Sequence, residues 1–124
     1  MTIKQAIDEA DRLRRTNDDR AEKILWLSRL EHQVWTEAFA SCENPPVEEF
    51  KGFTADTPED TVLMMKEPYS EAYVRYLEAQ IDLMNGEMKR YNSSIGAFNE
   101  IYAAFKRWVI RTYKPKQAAH IRYF

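Results

Sequence analysis

The chain has 124 residues, 44% of them apolar and 31% charged, with a net charge of −2. That is enough for one domain with its own core and too little for two. Three glycines and five prolines argue against a loop-rich or all-β fold, the single cysteine, Cys42, excludes an internal disulfide and fits a reducing compartment, and no apolar run approaches the ~18 residues of a membrane span.

The charge is unevenly spread. Residues 1–100 carry twelve Lys/Arg and all twenty Asp/Glu, a net −8, whereas residues 101–124 carry six Lys/Arg and no acid, a net +6. An acidic body with a basic end can attract nucleic acid, or an acidic groove on a neighbouring copy or partner. Part of the pattern, Lys106, Arg107 and Arg111, also suits the cation preference of a helix C-terminus. The opening Met1-Thr2-Ile3-Lys4-Gln5 lacks the apolar stretch expected of a secretory signal.

Thr2 followed by Gln5 is a capping-box pattern, and Ile3, Ala6, Ile7, Ala10 and Leu13 then form one apolar stripe, which predicts a first helix over residues 3–15. Asp19 and Glu22 repeat the capping pattern ahead of Ile24, Leu27, Val34, Trp35 and Ala38, predicting a second helix over residues 20–40. Glu31 falls on that second stripe. A buried carboxylate is costly without partners, so Glu31 either has one or marks where the stripe meets water or another subunit; an edge position is the simpler expectation.

Residues 41–69 read differently. Pro45-Pro46 blocks helix, and Thr54 to Asp60 is turn chemistry. Thr61–Met65 has strand character and pairs, in the simplest arrangement, with Phe50–Phe53 as a hairpin. Phe50, Phe53, Val62, Leu63, Met64 and Met65 exceed what a solvated loop needs, so some should pack on the domain and the remainder are candidates for a subunit interface.

Ser70 is the expected cap of the next helix. Tyr73, Leu77, Ile81, Met84, Met88, Tyr91, Ile95, Phe98, Tyr102, Phe105 and Val109 then recur every three or four residues. One helix of roughly 60 Å would satisfy this stripe. A break at Asn85-Gly86 is favoured, because two helices folded back bury each other's stripes. The expectation is thus an all-α fold: a small antiparallel bundle of about four helices over residues 1–113, with a long irregular segment between the second and third, followed by an extended C-terminal arm over residues 114–124. Pro115 ends the last helix. The arm combines Lys114, Lys116, His120 and Arg122 with Ile121, Tyr123 and Phe124, the composition of a peptide that docks into something.

Chemistry-bearing patterns are sparse. His32 and His120 are far apart, Cys42 has no adjacent base, and no Gly-rich phosphate loop is present. Glu78 and Asp82, four residues apart, are the best enzymatic pair. All-α nucleotide pyrophosphatases hold magnesium with two such pairs, but a second is missing, and a solvated helix face is the simpler reading. No catalytic, metal or cofactor residue is therefore expected. The basic stretch from Lys106 to Lys114, with Trp108 and Tyr113, lacks a recognition motif for reading DNA, so a regulator is disfavoured while weak electrostatic contact stays open.

The residues also carry a resemblance. Thr2-Ile3-Lys4-Gln5-Ala6, then Ile24-Leu25-Trp26-Leu27-Ser28, a long acidic extended stretch, Glu67-Pro68-Tyr69-Ser70-Glu71-Ala72-Tyr73, and Asn85-Gly86-Glu87 leading to Arg90-Tyr91-Asn92-Ser93-Ser94, Phe98-Asn99, Phe105 and Trp108 resemble the head–tail connector (adaptor) proteins of long-tailed phages and prophages. The resemblance runs along nearly the whole chain and is one of helices and aromatic positions. It implies a structural virion protein, made in the host bacterial cytoplasm and placed in the neck between head and tail. Its copies would form a ring, commonly of twelve, beneath the portal protein, let DNA pass non-specifically, and receive a stopper or tail-completion protein, with no membrane involved. The arm Lys114–Phe124 would dock on the portal, and the 41–69 segment, with Phe50, Phe53, Leu63, Met64 and Met65, would suit ring contacts or the tail-side face. A helical protein-interaction module of another virion or host assembly is the alternative.

Overall fold

In the computed structural model, residues 1–14, 19–113 and 115 are described. Four α-helices run in order: α1 (Ile3–Leu13), α2 (Arg20–Val34), α3 (Glu71–Met84) and α4 (Met88–Thr112), with a π-helical turn, Trp35–Phe39, continuing α2. No strand forms among the described residues. The all-α, four-helix expectation holds, with the irregular segment between α2 and α3.

Each helix end follows from its sequence. The capping box at α1 is complete: Thr2 Oγ1 accepts from the Gln5 N–H at 3.1 Å, and Gln5 Oε1 accepts from the Thr2 N–H at 2.9 Å. At α2, Asp19 Oδ1 accepts from the Glu22 N–H at 2.8 Å. Ser70 does precede α3, but its hydroxyl donates to Glu67 Oε1 and caps no helix N–H. The α3–α4 break falls at Asn85-Gly86. Gly86 has φ +73°, the left-handed geometry that ends a helix, and the Glu87 N–H returns to the Asp82 carbonyl at 2.9 Å.

α3 is the central helix, packed against α4, α1 and α2. It is therefore buried on several sides, at Ala72, Tyr73, Val74, Leu77, Ala79 and Ile81. α1 contributes Ile3, Ala6, Ile7 and Ala10, and α4 contributes Phe98, Tyr102, Phe105 and Val109, the stripe read from the sequence. Aromatic rings carry much of this core: Phe98 stacks on Tyr102, and Tyr69 and Phe39 meet Phe105 edge-on.

The hairpin expected between Thr61–Met65 and Phe50–Phe53 does not form. The 61–65 backbone is engaged elsewhere. A helix N-terminus has donors that its own turns cannot satisfy, and at α1 the Ile3 N–H donates to the Thr61 carbonyl at 3.0 Å while the Lys4 N–H donates to the Glu59 carbonyl at 2.9 Å. Leu63 N–H in turn donates to the Met1 carbonyl at 2.9 Å. The segment thus closes the start of α1 instead of pairing with itself. Phe50 and Phe53 lie on α2: the Phe50 ring meets His32 edge-on at 4.7 Å, and the Phe53 N–H donates to Ser28 Oγ at 2.9 Å. Gly52, between them, has φ +102°, and a Cβ there would sit 3.5 Å from His32 Nε2.

Candidate functional site

Of the candidate loop residues, Leu63 and Met65 are buried in the core, at 3% and 0% exposure. Phe50, Phe53 and Met64 are half-buried. These five therefore serve the domain's own packing, wholly or in part. The strongly exposed apolar side chain of this segment is Val62, at 71%, one of the residues whose apolar excess the sequence marked. Alternation accounts for its exposure, since Leu63 turns inward on an extended backbone and its neighbour turns out. Leu83, Met84, Met88 and Ile110 are also exposed. Met84 and Met88 belong to the stripe read through the α3–α4 turn, and the turn carries them past the end of the packed core.

The docking-arm residues Lys114, Lys116, His120, Ile121, Arg122, Tyr123 and Phe124 lie outside the described residues. What leads to them is well defined. Tyr113 packs edge-on against Phe39 and Trp108, and Pro115 pairs its backbone with that of Cys42. Arg107 and Arg111 point to solvent on the last turns of α4. Lys106 is held between Glu37, at 3.6 Å, and the face of Tyr102, and Lys66 lies over the ring of Trp108 at 4.6 Å.

Two buried polar clusters are the chief departure from the sequence reading. Glu31 is not an edge residue: it is 1% exposed, and it has partners. Its Oε1 accepts from the Tyr73 hydroxyl at 2.6 Å and its Oε2 from the Met64 N–H at 2.8 Å. The Tyr73 oxygen accepts in turn from the Met65 N–H at 2.7 Å. Burial pushes the Glu31 carboxyl up to about 7 against the pull of these donors, and the Tyr73 hydroxyl is raised well above its ordinary value by burial and by Glu31.

The Glu78–Asp82 pair is likewise not a solvated face. Both side chains are 1% exposed, because the helix that carries them is enclosed by its neighbours. Glu78 Oε2 pairs with Arg14 at 3.1 Å and its Oε1 accepts from Arg75 at 2.9 Å. Asp82 Oδ1 accepts from Arg14 Nε at 3.0 Å and its Oδ2 from the Ser94 hydroxyl at 3.0 Å. All four carboxylate oxygens have a donor, and the pair acts as a joint between α1, α3 and α4. Among the described residues no group of three or more His, Cys, Asp or Glu side chains is placed to hold a metal ion. Cys42 is buried, with its thiol 3.5 Å from the Ala38 carbonyl.

An open groove of about 560 Å³ lies between the starts of α1 and α3, and another of about 510 Å³ lies on α4 at Asn99, Glu100, Ala103 and Arg107. The first is lined by Asp8, Glu9, Glu67 and Glu71 with Arg12, Met1, Gln5 and Val74. Asp8 and Glu9 already hold Lys4 and Arg12, which keep both carboxyls below their usual range. No helix of the described residues is long and apolar enough to cross a membrane. In comparisons with known proteins, no family model, no curated protein sequence and no solved structure matches the chain.

Proposed function

We propose that this chain is a structural subunit of a protein assembly and, specifically, an adaptor of the phage neck that joins the portal to the stopper or tail. The observation that carries the reading is where the chemistry of the domain goes. The buried charged groups tie segments of the chain to one another with their acceptors filled, while Val62, Met84, Met88 and Ile110 stand exposed at its surface. A domain of this kind offers surfaces to partners rather than a reacting centre to a substrate. The residue pattern from Thr2 to Trp108 supplies the more specific half of the proposal.

In that role copies surround the DNA path, and the net −8 of residues 1–100 keeps passing phosphate from adhering. The arm 114–124, basic and ending in Ile121, Tyr123 and Phe124, docks on the portal, and many weak anchors around a ring act together. The reading is tested by replacing Tyr123 and Phe124 with alanine. Loss of attachment to the portal with unchanged helical content supports the docking arm; attachment that persists in the double variant removes it.

A further inference from the structure

The outer face of α4 has no neighbour among the described elements. The helix turns Ser94, Phe98, Tyr102, Phe105 and Val109 inward and packs against α3 and the π-helical turn. On its opposite side Ser93, Gly96, Glu100, Ala103, Arg107 and Ile110 recur at alternating spacings of three and four, and all are exposed except the half-buried Ala103. That spacing is the seam along which two helices pair.

The seam carries two opposite charges, Glu100 and Arg107, and neither takes part in an ion pair or side-chain hydrogen bond with a described residue. They do not reach each other, being two turns apart, about 10 Å along the axis. Pairs within one helix face use spacings of three or four, as Lys4 and Asp8 do in α1. Between Glu100 and Arg107 lies Ala103, the small residue of the groove that these three line with Asn99. Further along the same face, a Cβ added at Gly96 would meet nothing within 4 Å, and Ile110 is 71% exposed.

We propose that this face of α4 pairs with the same face of a second copy, antiparallel about a two-fold axis, so that Glu100 of each copy meets Arg107 of the other. A two-fold contact is isologous, so the surface must complement itself. The seam does. Reversed on itself with the axis between residues 101 and 102, it sets Ile110 opposite Ser93, Arg107 opposite Gly96 and Glu100 opposite Ala103. Each large side chain thus meets a small one. Glu100 of one copy enters the groove over the other's Ala103, one turn from its Arg107, about 6 Å along the axis and within reach of the guanidinium. A parallel pairing would set Glu100 against Glu100 and Arg107 against Arg107, like charge on like.

The inference concerns the chain on its own and does not rest on the neck reading. A two-fold pair closes on itself, so a ring would be built through other faces. A contact along residues 93–110, about 26 Å of helix, is smaller than the ~800 Å² per partner of a standard interface. The dimer is accordingly expected to be weak, with Kd on the order of 100 µM.

Sedimentation equilibrium of the intact chain from about 10 µM to about 1 mM brackets that constant, and circular dichroism checks that the variants keep their helical content, as expected at exposed positions. The intact chain is expected to pass from monomer to dimer. Glu100→Arg and Arg107→Glu each set like charges together, and each is expected to weaken the dimer at least about tenfold. An equimolar mixture of the two variants restores opposite charges at both contacts, because one copy then carries only cations there and the other only carboxylates. The mixture is expected to associate as the parent chain does or more tightly. An intact chain that stays monomeric, single variants that dimerise like the parent, or a mixture that stays monomeric overturns the proposal. Dimerisation confined to a chain ending at Pro115 also overturns it, and assigns the face to the chain's own arm.

Discussion

Arg14 Nε donates to Asp82 Oδ1 at 3.0 Å across 68 positions of sequence, and the same guanidinium reaches Glu78 at 3.1 Å. One cation thus holds two carboxylates that are each 1% exposed, and locks the end of α1 onto α3. Removing the cation leaves Asp82 buried with the Ser94 hydroxyl alone and Glu78 with Arg75 alone, the costly way to break such a cluster. Arg14→Met is expected to lower stability by about 3 kcal/mol in urea unfolding. Combining it with Glu78→Gln and Asp82→Asn, which removes the under-compensated charges, is expected to recover part of that loss. A triple variant less stable than Arg14→Met would contradict the argument.

Tyr73 has the second such role. Its oxygen accepts from the Met65 N–H and its hydroxyl donates to Glu31, so Tyr73→Phe leaves both a donor and an acceptor buried without their partner. The expected cost is about 2–3 kcal/mol, measured by chemical denaturation, with hydrogen exchange at Met64 and Met65 accelerated more than at the Phe98–Val109 stretch of α4.

Two glycines should respond in opposite directions to the same substitution. Gly86 has φ +73° with nothing within 4 Å of an added Cβ, so Gly86→Ala is penalised by backbone strain alone, about 1 kcal/mol. Gly96 lies in α4, equally open, and Gly96→Ala is expected to stabilise by up to about 1 kcal/mol. Thermal melts of the two variants beside the parent chain give the comparison directly.

The pH dependence of stability carries two opposed contributions. Glu31 has a raised carboxyl, so its stabilisation is complete below 4.5 and is lost as pH rises to about 7. Asp8, Glu37 and Glu59 are held low by hydrogen bonds from Lys4, Tyr102 and Arg20, so their stabilisation is present above the ordinary carboxylate range and is lost as pH falls through their lowered values. The melting temperature is expected to peak near pH ~5 rather than at neutrality. In Glu31→Gln the fall between pH 5 and 7 disappears while the acid limb stays.

What the sequence revealed was set by periodicity and local chemistry. The stripes of α1 and α4, the Thr2 and Asp19 caps and the Asn85-Gly86 break depend on residues within one or two turns of each other, and all are found in the structure. The second helix continues past Val34 through a π-helical turn, an extra residue per turn that no spacing rule anticipated. Glu31, Glu78 and Asp82 were misplaced for a different reason. Their burial depends on Tyr73, Arg14 and Ser94, between 12 and 68 positions away, and a carboxylate on one helix does not reveal whether a distant donor will meet it. The same holds for Thr61–Met65, which forms no strand and makes a single antiparallel bridge, Val62 to Thr2 at the start of α1.

The most direct test of the assembly role is binding to the portal protein encoded in the same genome, by co-sedimentation and negative-stain microscopy. The intact chain is compared with one ending at Pro115, which keeps the backbone pairing with Cys42. An added ring at the narrow end of the portal, present with the intact chain and absent with the shortened one, is the result the account predicts. No binding by the intact chain would contradict the adaptor role and leave a helical interaction module whose partner is a different protein.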